Sequence, residues 1–496
     1  MKKVAVNVNQ VIENNREHID FCVGGGRAYE TLVAENQRQL KTAVDECGFT
    51  HLRFHGIFNE DMAVCIYDRE GKLVYNWQYV DLLYDYMMSI GVRPIVELGF
   101  MPYPLASGGN TIFFWRGNVT PPRDYNQWYD FIQAFVQHLT DRYGAEELEK
   151  NWMFEIWNEP NLKGFWAAEY EDYIKLYDTT AKAVKSVNEK YAVGGPVSAG
   201  IAWIPEFIQH CYDNQVPLDF ITAHTYGVEG CLDEFGKDAQ IMFHDENSVT
   251  YDVKLAHQQI SESPMPHLPL YITEWGPSYS SRDNVHDAYH AASFILTRLH
   301  DCAGYTKAMS HWTFSDIFEE AGPGPKHFHG GFGLMNIQGL KKPSFFAYKY
   351  LHMLGDTCLA CEDKYTFAAK NDQGVQVLTW DYTMPDQNGC SNQDYYIKDL
   401  PAPDKGTVSV QVSGLEDGVY TVTTYGIGYR MNDVYTEYLS MPQQGTLSAA
   451  QIDTLKAKCS GAPIAIATAE AKDGVLTVER PIRENDVFLF TIEKKA

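Results

Sequence analysis

A chain of 496 residues is too long for one ordinary domain and has room for a large buried core. Its 65 Asp and Glu against 40 Lys and Arg give a net charge of −25, which repels phosphate backbones, anionic membranes and polyanionic polymers, so neither nucleic acid nor a membrane is an expected partner. No apolar run reaches the ~18 residues of a membrane span, and Lys2 and Lys3 precede no apolar stretch. A cytoplasmic location is therefore expected, although a trimmed signal segment replaced by a start methionine would read the same way.

From about His18 to Leu354 strand and helix patterns alternate. Phe21–Val23 reads as a first strand. Gly24-Gly25-Gly26 behind it reads as a turn, because it lacks the Gly-x-Gly-x-x-Gly spacing of a dinucleotide site. Helix Thr31–Glu46 leads to strand His51–His55, and helix Tyr75–Ser89 to strand Val92–Leu98. Trp128, Phe131, Ile132, Phe135, Val136 and Leu139 fall on one helical face. An apolar run to Glu159 follows, then a helix over Trp166–Val187, a strand near Tyr191–Gly194 and a helix over Pro205–Tyr212. Strand Asp219–His224, helix Tyr251–Ser261, strand Leu270–Glu274, helix Asn284–Cys302, strand Ala308–Phe314 and a last helix opened by Lys342-Pro343 complete about eight βα units. Near-continuous apolar strands separated by amphipathic helices predict a parallel sheet, and that count points to a (β/α)8 TIM barrel over residues 16–354.

Beyond Leu354 the pattern changes to short β runs such as Val375–Trp380, Val408–Val412, Val419–Val422, Val475–Val478 and Val487–Phe490, punctuated by Gly, Pro, Asn and Asp. These predict an accessory antiparallel β-sandwich over 355–496, to which residues 1–15 add a strand. The ten cysteines are scattered. Cys358 and Cys361 have the spacing of half a zinc or redox motif without a second pair, and free thiols are the expected state.

Two apolar runs end in the same way. Phe154-Glu155-Ile156-Trp157-Asn158 leads to Glu159 and Pro160, and Leu270-Tyr271-Ile272-Thr273 leads to Glu274, Trp275 and Gly276-Pro277. Proline biases the residue before it to extended backbone, so Glu159 is expected where a strand emerges from its sheet. Active sites of such barrels gather at the carboxyl ends of the strands. There the sequence places His55, Glu97, Asn158, Glu159, His224, Tyr226, Glu274 and Trp312 to Phe314, with Glu319 and Glu320 beyond. Two carboxyls surrounded by imidazoles, an amide and aromatic rings suit glycoside hydrolysis, in which one acid protonates the leaving oxygen and the other attacks the anomeric carbon or activates water. His327 and His329 have no carboxylate at ligand spacing and no Gly-x-Ser-x-Gly elbow occurs, so neither a metal site nor a serine nucleophile is expected.

The segments Arg53-Phe54-His55-Gly56, Phe154 to Leu162, Thr222 to Gly227, Ile272-Thr273-Glu274-Trp275, Ser278 to Asp283, Trp312 to Glu320 and Phe328 to Leu334 together resemble glycoside hydrolase family 39, its β-xylosidases in particular. The resemblance implies a retaining exo-hydrolase that removes terminal β-D-xylose from small xylo-oligosaccharides without a cofactor, with Glu159 as general acid/base and Glu274 as nucleophile. It also implies a terminal-sugar subsite lined by His55, Asn158, His224, Tyr226, Glu319 and Glu320, to which the strand-end reading adds Trp312 and Phe314. Gly276 stands where those enzymes carry a polar residue, which leaves an α-L-arabinosidase or another exo-glycosidase on the same scaffold as the alternative. A non-catalytic sugar-binding protein is the alternative from another class, and the presence of both carboxylates opposes it. The oligomeric state is not legible in the chain.

Overall fold

In the computed structural model, which describes residues 1–318, 320–442 and 446–495, eight parallel strands close into a barrel. They are Cys22–Arg27, His51–His55, Arg93–Glu97, Met153–Glu155, Ala192–Ala199, Phe220–Tyr226, Leu270–Gly276 and Ala308–His311, and pairing of His311 with Val23 closes the ring. Each is followed by a helix, the longest being Tyr125–Tyr143. Asp124 caps that helix by accepting the Asn126 N–H, and its predicted apolar face, Trp128 to Leu139, is fully buried. Boundaries otherwise move by a few residues. Tyr75, read as the start of a helix, lies instead in the strand Leu73–Tyr75, which pairs with Cys65–Tyr67 as a two-stranded ribbon.

The three glycines after Val23 are strand, not turn. A side chain at Gly24 would put its Cβ 2.4 Å from the Trp312 ring, and one at Gly25 would meet Leu52 at 3.0 Å. Trp312, just past the eighth strand, and Leu52 of the second press against them too closely for any larger residue.

The accessory region pairs a six-stranded antiparallel sheet (Thr357–Leu359, Thr366–Asn371, Gly374–Trp380, Val487–Lys494, Gly418–Ile427 and Ala465–Ala471) with a three-stranded one. The latter holds Asp404–Ser413, antiparallel to Val475–Arg483, and the amino-terminal strand Lys2–Asn7. Lys2–Asn7 runs parallel to Asp404–Ser413, contrary to the all-antiparallel expectation. No hairpin joins the two, so nothing in the connection dictates antiparallel pairing. Between the sheets lie Val4, Val6, Val377, Val410, Val412, Phe488 and Phe490. Trp380 donates its indole N–H to Thr297 of the barrel at 2.9 Å, and Tyr350 of the last barrel helix donates to the Gly426 carbonyl at 3.1 Å, tying the two regions together.

An unanticipated hairpin, Val228–Leu232 with Asp238–Met242, stands between the sixth strand and its helix. The ten cysteines are unpaired. Among the described residues no helix is long and apolar enough to cross a membrane.

Candidate active site

At the carboxyl end of the barrel a cavity of about 660 Å³ is lined by His55, Asn158, Glu159, His224, Tyr226 and Glu274, among others. Its floor is organised by one cation. Arg53 is fully buried in the second strand. It donates through Nε to Glu155 at 2.6 Å, through Nη1 to Glu274 Oε1 at 2.5 Å, and through Nη2 to both Asn158 Oδ1 at 2.9 Å and Glu97 at 2.8 Å. The other Glu155 oxygen accepts from Thr273 Oγ1 at 2.7 Å. The second oxygen of Glu274 accepts from the Tyr226 hydroxyl at 2.9 Å. Glu274 therefore has a charged donor on one oxygen and a neutral donor on the other.

Glu159 is held differently. Its Oε1 lies 2.8 Å from Nδ1 of His224, and either proton arrangement places one hydrogen between them. Burial pushes its acid up to about 7, with His55 and Arg53 opposing. Burial also holds the imidazoles of His55 and His224 down to about 4, against the pull of Glu274, so both rings are neutral near pH 7. His55 bonds through Nδ1 to Glu97 at 2.7 Å, and Glu97 itself is pushed by burial up to about 8 despite the neighbouring Arg53. One oxygen of Glu159, one of Glu274 and a ring nitrogen of His224 all lie within 4.8 Å of one another. A set so spaced could ligate a cation, but Arg53 already supplies positive charge to Glu274 from 2.5 Å.

The backbone at Glu159 departs from the extended expectation. The fourth strand ends at Glu155, and Trp157 and Glu159 both have left-handed φ, 77° and 44°. Hydrogen bonds hold the turn in this costly conformation: the Glu159 N–H donates to Val197 O at 2.8 Å and the Trp157 indole to Phe165 O at 2.8 Å. The local preference set by Pro160 yields to these tertiary contacts.

Of the other predicted site residues, Glu320 lines the cavity and Glu319 lies outside the described residues. Burial raises the Glu320 acid well above the usual carboxylate range, helped by the charges of Glu274 and Glu159. Trp312 stands behind the wall, its ring 4.7 Å from that of His55 and 5.7 Å from the Arg53 guanidinium. Phe314 belongs to the barrel core, packed among buried apolar residues, and is not part of the lining. Arg53 and Glu155, the centre of the network, were not expected as site residues. The available signal was a charged residue inside a buried strand, where charges occur only when paired. Phe113, Phe165 and Asp252, also in the lining, carry no local signal at all, whereas Tyr279 lies in the Ser278–Asp283 segment that carries the family resemblance.

Comparison with known proteins agrees with this geometry. The chain matches the model of Glycosyl hydrolases family 39 over residues 2–474. It is 38% identical over 402 residues to a beta-xylosidase of Geobacillus stearothermophilus, covering 78% of this chain and 79% of that one. A crystal structure of a monomeric beta-xylosidase from Caulobacter crescentus CB15 superimposes with a TM-score of 0.96 at 40% identity, covering 100% of both chains. The family 39 enzyme from Xanthomonas axonopodis pv. citri gives 0.96 at 39% identity, covering 99% of this chain and 97% of that one.

Proposed function

Because the chain belongs to glycosyl hydrolases family 39, we propose that it is a retaining, exo-acting β-xylosidase whose nucleophile is Glu274 and whose acid/base is Glu159. The observation that carries this reading is the approach of the two carboxyls to within 4.8 Å. Double displacement needs them at about 5–5.5 Å, whereas an inverting enzyme leaves roughly 6.5–9.5 Å for a water.

Glu274, ionised between Arg53 and Tyr226, attacks the anomeric carbon as Glu159 gives its proton to the departing oxygen. Forming the covalent intermediate removes the Glu274 charge. Glu159, now the base, takes a proton from the water that releases the sugar. Asn158 has its Oδ1 committed to Arg53, which turns Nδ2 toward the sugar 2-hydroxyl, a contact that strengthens as positive charge develops at the ring. Neutral His55 and His224 offer hydroxyl partners without adding charge.

Exo action is supported at one end of the cavity. There the ribbon Thr111–Asn118 meets the loop after the eighth strand, the Phe114 N–H donating to the Glu320 carbonyl at 3.0 Å. A wall at one end of the cavity is what an exo-acting enzyme needs to stop a continuing chain. Within this reading residues 16–354 are the catalytic unit, 1–15 and 355–496 the accessory one, and the substrate a small xylo-oligosaccharide.

A panel of aryl glycosides read by proton NMR tests the proposal. The expected result is preferential release of xylose, appearing first as the β-anomer. First appearance of the α-anomer would overturn retention, and preference for an arabinoside would replace the sugar.

A further inference from the structure

We propose that the outer part of the cavity, built on Asp252 and Thr225, is a hydroxyl-binding site for a sugar leaving group, and that Asp252 makes the enzyme favour xylosyl-sugars over xylosyl-aryl compounds. This rests on the β-xylosidase reading and names the leaving group that reading leaves open.

The position of the acid determines where the leaving group goes. Glu159 protonates the bridging oxygen, so the departing group lies on its side, away from Glu274. The loops on that side are stitched together around Glu159. Its N–H bonds Val197 of the fifth strand, Asn161 Nδ2 donates to Ala199 O at 3.0 Å, and the Gly200 N–H donates to His224 O at 3.0 Å. Ala199, Gly200 and Thr225 continue the cavity wall from there.

Along the sixth strand side chains alternate. His224 and Tyr226 serve the two catalytic carboxyls, while Thr225 points the other way, to the helix Ser248–Ser261. There its hydroxyl donates to Asp252 Oδ2 at 2.5 Å. Thr225 is buried and Asp252 half-buried on the cavity wall. Elsewhere in the lining Leu162, Phe165, Val228 and Phe243 are apolar, and the half-exposed Tyr279 ring lies 6.3 Å from that of Tyr226.

A pocket of aromatic and aliphatic groups with one anchored carboxylate suits a pyranose, whose ring faces stack and whose hydroxyls donate. Hydrogen bonds from sugar hydroxyls to an ionised acceptor are about twice as strong as neutral ones. An aryl leaving group offers no such donor. The cavity's 660 Å³ is also in the ~300–1,000 Å³ range that encloses a ligand of several rings.

The test compares Asp252→Asn, Asp252→Ala and Thr225→Val with the parent on xylobiose and on 4-nitrophenyl β-xyloside. Asp252→Ala is expected to lower the ratio of kcat/KM for xylobiose to that for the aryl xyloside about tenfold, chiefly through KM for xylobiose. Asp252→Asn, nearly isosteric and able to keep the Thr225 bond, should lower it less but in the same direction, as should Thr225→Val. An unchanged ratio, whether both substrates suffer equally or neither suffers, would make Asp252 only a tie between strand and helix and overturn the proposal. A parent enzyme inactive on both xylosides would instead sink the β-xylosidase reading itself.

Discussion

The interior of the sandwich and the mouth of the barrel are both built of buried side chains, on opposite principles. Between the two sheets lies a cluster of buried apolar side chains, among them Val4, Val6, Val377, Val410 and Phe490. At the barrel mouth the buried groups are Arg53, His55, Glu97, Glu155 and His224. The sandwich gains stability from burial in proportion to area, about 25 cal/mol per Å². The mouth loses stability by burial, because each ion removed from water costs several kcal/mol that pairing only partly returns. A single guanidinium there serves Glu97, Glu155 and Glu274, with Glu159 beside them. With more carboxyls than cations in a dry site, protons are retained where burial is least compensated, at Glu159 and Glu97. The surplus of acid that weakens the fold here is what supplies a protonated catalyst near neutral pH.

Substitutions at the mouth should therefore act on rate and substitutions in the sandwich on stability. The largest effect is expected from Glu274→Ala, a loss of about 10⁴-fold or more in kcat on an aryl xyloside, equivalent to about 5.5 kcal/mol of barrier. Near-parental turnover in that variant would remove the nucleophile assignment. Glu159→Ala should lower kcat/KM on xylobiose by about 10²–10⁴-fold and much less on a dinitrophenyl xyloside, whose leaving group needs no proton. In the parent the active form carries the Glu159 proton, so kcat/KM on xylobiose should fall as pH rises through about 7. A profile flat from pH 6 to 8 would contradict that role.

In the sandwich, Phe490→Ala removes a fully buried ring from the inter-sheet core and is expected to cost about 3–5 kcal/mol of unfolding free energy in urea. The kcat/KM of the molecules that remain folded should stay within about twofold of the parent. A larger loss would show that the two regions are not energetically separate.

The two regions also differed in how far they could be read from the chain. The barrel was legible because strands buried on both faces are near-continuous apolar runs, and a polar residue ending such a run stands out, as Asn158, Glu159, His224 and Glu274 do. What was not legible depends on contacts distant in sequence. Gly24 is strand because Trp312 presses on it. Glu159 is left-handed because Val197 and its neighbours hold the turn. The hairpin Val228–Met242 alternates poorly, and part of its support comes from far along the chain, where Gln393 bonds Gln240 twice and Gln387 accepts the Met242 N–H. In the sandwich the strands Val375–Trp380, Val419–Val422 and Val487–Phe490 were legible, but Thr366–Asn371 was not, nor were the edge strands Thr357–Leu359 and Ala465–Ala471, which are short or exposed on both sides.

Glu97 gives the finest test of the contrast, because Glu97→Gln changes charge at the mouth while keeping its shape. Its native acid is pushed up by burial to about 8, whereas the unfolded chain ionises near the ordinary value of 4.5. Between those values the unfolded state binds fewer protons at this group than the native one, so the contribution of Glu97 to stability falls as pH rises from about 4.5 to 8 and then levels off. Glutamine has no proton to release. Glu97→Gln should therefore unfold at nearly the parental urea concentration at pH 5 and at a progressively higher one relative to the parent up to pH 8. Because the neutral acid and the amide can both serve Nδ1 of His55, kcat/KM at pH 6 should change by no more than about threefold. If the variant were instead destabilised uniformly from pH 5 to 8, Glu97 would be an ordinary ionised partner of Arg53, and the mouth would hold one proton fewer than its burial demands.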